Sequence, residues 1–166
     1  TLPPDTIVVD EGLTSTRRLP ELFAYRDAQS YYGLASGGIG FAIAGAIGIR
    51  LAVPDRPLVA VIGDGSALYN IQALWTAAHL RLPMVFVIAN NYGYGILKER
   101  VRAGYRTDTY VGMDFADPLI DFARLAAALG VPGHRIVDPH DIVPALQHAL
   151  DQNGPTLLDV VVDELR

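Results

Sequence analysis

The sequence predicts an α/β domain of three layers, with a mostly parallel sheet and helices on both faces. Strand-like and helix-like runs alternate along the chain. The strand-like runs are continuously apolar rather than alternating, and hydrophobic residues make up 51% of the chain against 19% charged. Continuous apolar strands need cover on both faces, which the helices of successive βαβ crossovers supply. The 166 residues fit one domain, 1–166, and a chain of this size buries roughly two-thirds of its unfolded surface.

The elements follow in order. Thr6–Asp10 is short and β-branched. Tyr31–Ile49 runs 19 residues without a charge, but six of them are glycine and four of those crowd into Gly33–Gly40. We read a glycine loop there, then a buried apolar helix to about Val53, in place of the ~20-residue span of a membrane helix. Leu58–Ile62 is a continuous apolar strand ending at Gly63. From Ser66 to Leu82, apolar residues recur at Leu68, Ile71, Leu74, Trp75, Ala78 and Leu82, with Gln72, Thr76 and His79 opposite, which predicts one helix. Met84–Ala89 is the next strand and ends in Asn90-Asn91. Tyr92–Phe115 has no clear period and contains Gly93, Gly95, Gly104 and Gly112; it is a solvated segment, a lid or a contact with another chain. Asp117-Pro118 opens a helix that carries Ile120, Phe122, Leu125, Ala126 and Leu129 and stops at Gly130. A weak strand at Arg135–Val137, a helix over Asp141–Gln152 with Pro144 near its start, and a strand at Thr156–Val162 complete the chain.

Composition and motif absences remove several functions. A net charge of −5 argues against a broad nucleic-acid face. There is no cysteine, which excludes disulfides, thiolate metal sites and Cys nucleophiles. Thr1-Leu2-Pro3-Pro4-Asp5 has neither the basic start nor the apolar core of a signal peptide, so a soluble, cytoplasmic domain is expected. Without an initiator Met, it reads as a piece of something longer. No P-loop is present, and Ile43 occupies the third glycine position of a dinucleotide fingerprint begun by Gly38 and Gly40. His79, His134, His140 and His148 are scattered and read as surface or structural residues.

Two strand ends carry chemistry. Gly63-Asp64-Gly65-Ser66 follows one strand and Asn90-Asn91-Tyr92-Gly93 the next. Asp64 and Asn91 are 27 residues apart, a single βαβ unit, so their loops should lie side by side on strands about 5 Å apart. In open α/β sheets ligands sit beyond the carboxyl ends of the strands. A carboxylate and an amide oxygen at one edge suit Mg²⁺, which keeps its remaining positions for phosphate oxygens and water. Glycines beside Asp64 let the backbone approach a phosphate, and Ser66 stands at a helix start that favours anions. The pair predicts a Mg²⁺–phosphate site. A signalling receiver domain, with Asp10-Glu11 and Asp64 holding Mg²⁺ beside a phosphoacceptor, is the alternative of a different class.

Gly63-Asp64-Gly65, 24 residues, then Asn90-Asn91 resembles the thiamine diphosphate signature. Ser36-Gly-Gly-Ile-Gly-Phe-Ala-Ile-Ala-Gly-Ala-Ile-Gly48 resembles the loop and helix that precede it in the same enzymes, and Gly63–Ala78 is similar to the benzoylformate decarboxylase branch in particular. The likeness covers nearly the whole chain, is strongest over Tyr31–Leu97, and corresponds to the carboxy-terminal, diphosphate-binding domain. It implies that Asp64, the Asn91 side chain and the Gly93 carbonyl hold Mg²⁺, and that Gly65 and Ser66 hold the diphosphate. It implies further that the Gly37 carbonyl, beside Gly38, accepts from the aminopyrimidine and that Ile39 is the apolar wedge that bends the cofactor into a V. Tyr94, Gly95 and Ile96 would line the cofactor and substrate side. Leu13 falls where relatives often carry a hydroxyl, which moves the expected phosphate contact to Thr14. Leu97 stands where pyruvate-type decarboxylases carry Glu, which leans toward the benzoylformate-like branch.

The resemblance implies a 2-keto acid decarboxylase or carboligase, with an acetolactate synthase-like carboligase as the alternative. A remnant that binds the cofactor without chemistry is a third reading. The family activates its cofactor with a Glu from a separate pyrimidine-binding domain, and Glu11, Glu21, Glu99 and Glu164 are not in that context. No catalytic residue is expected in this chain, which would be a cut domain or one subunit of a split enzyme, inactive alone. Its expected partners are that pyrimidine-binding domain or subunit, a small 2-keto acid, and copies of itself in a dimer or tetramer.

Overall fold

The computed structural model describes residues 2–35 and 37–162; Ser36 of the glycine-rich run and Glu164 lie outside them. In chain order the elements are β1 (Ile7–Glu11), α1 (Leu19–Leu22), β2 (Tyr31–Gly33), α2 (Ala42–Ala52), β3 (Leu58–Gly63), α3 (Asp64–Ala67), α4 (Leu74–His79), β4 (Met84–Asn90), α5 (Gly95–Tyr105), α6 (Phe122–Ala128), β5 (Gly133–Ile136), α7 (Ile142–Leu150) and β6 (Pro155–Val161). The sheet has six strands in the order β2-β1-β3-β4-β6-β5, and every pairing is parallel.

The continuous apolar strands are explained by two cores. Leu58, Ala60 and Ile62 of β3 and Met84, Phe86 and Ile88 of β4 face one core, which Ala42, Ile43, Ala46 and Ile47 of α2, Leu74 and Ala77 of α4, and Phe122 and Ala126 of α6 complete. The intervening Val59 and Val85 face the other, closed by Ala149 and its neighbours on α7. Successive side chains of a strand point to opposite faces, so a strand covered twice has no polar side. This is the expected α/β three-layer arrangement. With 11 residues, α2 is ~16 Å long, about half a bilayer core. Among the described residues no helix is long and apolar enough to cross a membrane.

Several sequence expectations are corrected. The helix predicted over Ser66–Leu82 is broken: α3 ends at Ala67, a 3₁₀ turn covers Ile71–Ala73, and α4 holds only Leu74–His79. The break is fixed from outside, because Asn70 Nδ2 donates to the Gly40 carbonyl in the glycine loop. Trp75, assigned to the apolar face, is 56% exposed and stacks on His79. The segment without a period contains α5. The helix opened by Asp117-Pro118 begins instead at Phe122, where Asp121 caps it by accepting from the Arg124 N–H at 2.9 Å. Pro144 sits third in α7 and its missing N–H costs no bond. β2 was not foreseen; it is a three-residue edge strand paired with β1.

Candidate functional site

A cavity of about 500 Å³ opens at the carboxyl ends of β1, β3 and β4. The loop after β1, the glycine-rich lip between β2 and α2, the β3–α3 turn and the start of α5 enclose it. β3 and β4 are neighbours with Gly63 opposite Ala89, so Asp64 and Asn91 each lie just past the end of adjacent strands.

Asp64 forms the floor and is 3% exposed. Its Oδ1 accepts from the Gly65 N–H at 2.8 Å and its Oδ2 from the Gly93 N–H at 2.9 Å. Burial pushes its carboxyl up to about 6, against the lowering pull of the Gly65 and Gly93 amides. Asn91 lies against the same carboxylate. With its amide nitrogen inward, it donates to Asp64 Oδ1 at 3.2 Å, Asp64 Oδ2 at 3.3 Å and the Gly93 carbonyl at 2.7 Å. With its oxygen inward, the same separations bring a carboxylate, an amide oxygen and a carbonyl together with no proton among them. That orientation is repulsive unless a cation lies among the oxygens, and the choice between the two is set by what the site holds.

The surroundings suit an anion next to that cation position. Ser66 Oγ is buried, lines the cavity and has no hydrogen-bond partner among the described residues. The first turn of α5, Gly95, Ile96 and Leu97, lines the cavity at the positive end of an 11-residue helix. Its Gly95 N–H donates to the Gly93 carbonyl at 3.0 Å and its Leu97 N–H to the Tyr94 carbonyl at 3.0 Å. The glycines are dictated by space. A Cβ on Gly65 would stand 2.6 Å from Cδ1 of the Tyr94 ring, one on Gly93 2.3 Å from the Met113 carbonyl, and one on Gly95 2.7 Å from Asn91 Nδ2. Burial also raises the Tyr94 hydroxyl.

Thr14, Gly37, Ile39, Asp64, Gly65, Ser66, Asn91, Gly93, Tyr94, Gly95 and Ile96 all line this one cavity. Gly38 does not; it is exposed on the lip. Gly12, Ser15, Leu34, Tyr69 and Arg100 also line it and were missed as site residues. Gly12 and Ser15 were findable by the carboxyl-end rule, since they follow β1. Tyr69 and Arg100 gave no sequence signal. Among the described residues Arg100 is the one cation of the lining, while its neighbours on α5 are paired as Lys98–Asp114, Arg17–Glu99 and Arg102–Asp108.

The receiver arrangement is not formed. Asp10 accepts from the Gly12 N–H at 3.0 Å, Thr16 Oγ1 at 2.6 Å and the Tyr31 hydroxyl at 2.5 Å. Glu11 accepts from the Gly40, Phe41 and Ala42 amides at the start of α2. Among the described residues no group of three His, Cys, Asp or Glu could hold a metal ion; the oxygen cluster at Asp64 has one carboxylate.

The model of the family "Thiamine pyrophosphate enzyme, C-terminal TPP binding domain" matches residues 14–160. The chain belongs to this family. The thiamine pyrophosphate of that description is thiamine diphosphate. IlvX of Mycobacterium tuberculosis, named after acetolactate synthase large subunits, is 38% identical over 169 residues, 99% of this chain and 33% of that protein. Benzoylformate decarboxylase of Pseudomonas aeruginosa is 38% identical over 159 residues, 95% of this chain and 29% of that enzyme. The thiamine diphosphate-dependent 4-hydroxybenzoylformate decarboxylase of Rhodococcus jostii RHA1 superposes with a TM-score of 0.90 at 38% identity, over 97% of this chain and 30% of that one. The family chain thus spans about a third of the length of these relatives.

Proposed function

We propose that this chain binds Mg²⁺ and thiamine diphosphate as the diphosphate half of a 2-keto acid decarboxylase or carboligase of the benzoylformate decarboxylase type. The observation that carries the reading is the oxygen cluster of Asp64, Asn91 and the Gly93 carbonyl, with separations of 2.7–3.3 Å. Octahedral Mg²⁺ with bonds of about 2.1 Å needs adjacent ligands about 3 Å apart, and prefers few protein oxygens plus phosphate. One carboxylate and two neutral oxygens fit that ion and leave room for the diphosphate to balance the charge.

Asp64, the Asn91 amide oxygen and the Gly93 carbonyl hold the metal. Ser66 Oγ donates to a diphosphate oxygen, the Gly65 backbone lies close to it, and Thr14 and the first turn of α5 face it from the other side. Ile39, an apolar residue of the lining, would pack against the cofactor as a wedge. Gly37 offers its carbonyl to the aminopyrimidine, with Gly38 giving the lip its freedom. Tyr94, Gly95 and Ile96 line the cofactor and substrate side, where Leu34, Ile39, Ile96 and Leu97 supply an apolar lining. When bound, thiamine diphosphate supplies the carbon nucleophile that adds to the keto carbon and accepts the charge left as CO₂ departs. The acid that activates it comes from a pyrimidine-binding domain or subunit, and the complete enzyme is a cytoplasmic homo-oligomer.

The test is calorimetric titration of the chain with thiamine diphosphate, with and without Mg²⁺. Binding that requires Mg²⁺ and is lost in Asp64→Ala is expected; equal affinity in the variant and the parent would sink the site. The likeness to IlvX keeps a second reading, an acetolactate synthase-like carboligase. Product analysis of the complete enzyme separates the two: free aldehyde for a decarboxylase, a condensed hydroxyketo acid for a carboligase.

A further inference from the structure

Asn90 and Asp159 are buried polar residues that the proposed cofactor site does not use. Both lie inside the sheet, at 1% and 0% exposure. Ile88 is registered opposite Asp159, so Asn90, two residues on, shares its face. Asn90 Nδ2 donates to Asp159 Oδ1 at 2.9 Å. The other end of the same amide, Asn90 Oδ1, accepts from the Tyr92 N–H at 3.1 Å. Tyr92 has a φ of 60°, a left-handed conformation that a side-chain-bearing residue adopts only at a cost.

That turn places the metal ligands. It lets the Gly93 N–H reach Asp64 Oδ2 at 2.9 Å and puts the Asn91 amide against the Asp64 carboxylate. Outside, the turn is braced by the Phe115 N–H donating to the Tyr92 carbonyl at 2.8 Å and by Arg135 donating to the Tyr92 hydroxyl at 2.7 Å. Inside, Asp159 is the brace. An Asn90 amide free to rotate could present its nitrogen to the Tyr92 N–H and lose the bond. As a carboxylate Asp159 accepts only, so in that form it fixes which end of Asn90 faces the turn.

Stability alone does not account for this carboxylate. Its Oδ2 is buried and makes no hydrogen bond of normal geometry among the described residues. Burial, the larger effect, pushes its carboxyl up, while the Arg135 charge on β5 and the Phe122 N–H at the start of α6 pull it down. A buried charge left half-satisfied is costly, and a hydrocarbon side chain in its place is often neutral or stabilising. Resting on the proposed Mg²⁺–diphosphate site, we propose that Asp159 is a positioning residue that acts through Asn90 to hold the Asn91–Gly93 turn in its metal-binding form.

The experiment uses Asp159→Val, Asp159→Asn, Asn90→Asp and the double exchange Asn90→Asp/Asp159→Asn. Mg²⁺ is titrated at saturating thiamine diphosphate, melting is followed without either, and amide hydrogen exchange is read at Tyr92 and Gly93. Asp159→Val is expected to raise the Mg²⁺ half-saturation by about 10-fold or more, the scale for losing a group that orients a ligand. Its melting temperature should hold or rise, a divergence that a purely structural role does not give. Asp159→Asn keeps an acceptor for Asn90 and stays within about threefold of the parent. Asn90→Asp sets two carboxylates together and weakens Mg²⁺, and the double exchange restores it with donor and acceptor interchanged.

Parent-like Mg²⁺ affinity in Asp159→Val, or no recovery in the double exchange, overturns the proposal. If the parent itself fails to bind Mg²⁺ and thiamine diphosphate, the functional reading falls. Exchange at Tyr92 and Gly93 then decides the positioning role separately: faster exchange in Asp159→Val supports it and unchanged exchange overturns it.

Discussion

The carboxyl-end edge of β3 and β4 and the glycine-rich lip between β2 and α2 bound one cavity but are held in different ways. At the edge, Asp64, Asn90 and Asn91 are 3%, 1% and 7% exposed, and their side chains are bonded to the backbone of both loops and to β6. Along the lip, Gly37 and Gly38 are exposed and Ile39 is half-buried. The lip is tied at its far end, where Glu11 accepts from the Gly40 amide and Asn70 donates to the Gly40 carbonyl. The charge-bearing end is therefore held by this chain's own hydrogen bonds, with only the Asn91 amide left to turn toward what the site holds. The ring-facing end is anchored at its base and open above. On the proposed function, a site divided this way would hold the phosphate and its metal firmly and leave the cofactor ring to be covered from elsewhere.

The largest expected effects test that division directly. These 166 residues, given saturating thiamine diphosphate and Mg²⁺, should release no sustained CO₂ from benzoylformate or pyruvate. Glu11 is 2% exposed and is spent on the start of α2, Glu99 is paired with Arg17, and Glu21 lies on the exposed α1 beside Arg18. Cofactor-dependent turnover by the chain alone would mean that the lip is complete as it stands. At the other wall, Asp64→Ala should abolish Mg²⁺-dependent cofactor binding. Asn91→Ala should weaken it by at least the ~10–100-fold typical of a lost supporting group, measured by calorimetry.

The two walls were also unequally legible. Continuous apolar runs at Leu58–Ile62 and Met84–Ala89 predicted both strands, and one βαβ unit between Asp64 and Asn91 placed their loops side by side. That inference needs only chain length and the parallel rule, and both are local. The Asn90–Asp159 bond links residues 69 apart, and Asp159 sits in a strand whose apolar neighbours conceal it. α5 was hidden for a related reason. It fully buries none of its side chains, so no apolar stripe marks it. It is tied instead to distant segments by the Lys98–Asp114 and Arg17–Glu99 pairs. The break before α4 depends on Asn70 reaching Gly40, another contact that periodicity cannot register. Arg100 and Tyr69 reach the cavity from these two unforeseen segments.

Proton binding at Asp64 sharpens the contrast at the next level. Burial raises its carboxyl to about 6 in the folded chain, so folding favours the protonated form. The stability this lends is present below the unfolded carboxylate value and is lost as pH rises through about 6. Asp64→Asn, without Mg²⁺, should therefore melt higher than the parent above that pH, by at most about 3 kcal/mol. The two should converge in acid. Mg²⁺ binding needs the carboxylate, so its affinity in the parent should fall about tenfold per pH unit below the same point. A variant no more stable than the parent at neutral pH would show that the Gly65 and Gly93 amides already offset the burial of this charge.

The smallest effects separate the two kinds of glycine. At Gly93 the obstacle is space, since a Cβ would stand 2.3 Å from the Met113 carbonyl oxygen, a backbone atom that cannot turn aside. Gly93→Ala should cost ~1–3 kcal/mol of stability, as overpacking does, and should weaken Mg²⁺ as the turn shifts. At Gly37 a Cβ meets nothing within 4 Å, and the obstacle is the φ of 73° alone. Gly37→Ala should cost only ~1–2 kcal/mol if the lip keeps its conformation, and less if the exposed lip relaxes to a negative φ. Mg²⁺ affinity should not change, because no described residue of the lip is bonded to Asp64 or Asn91. Chemical denaturation and Mg²⁺ titration on both variants make the comparison. Equal stability losses, or a loss of Mg²⁺ affinity in Gly37→Ala, would show that lip and edge move as one body.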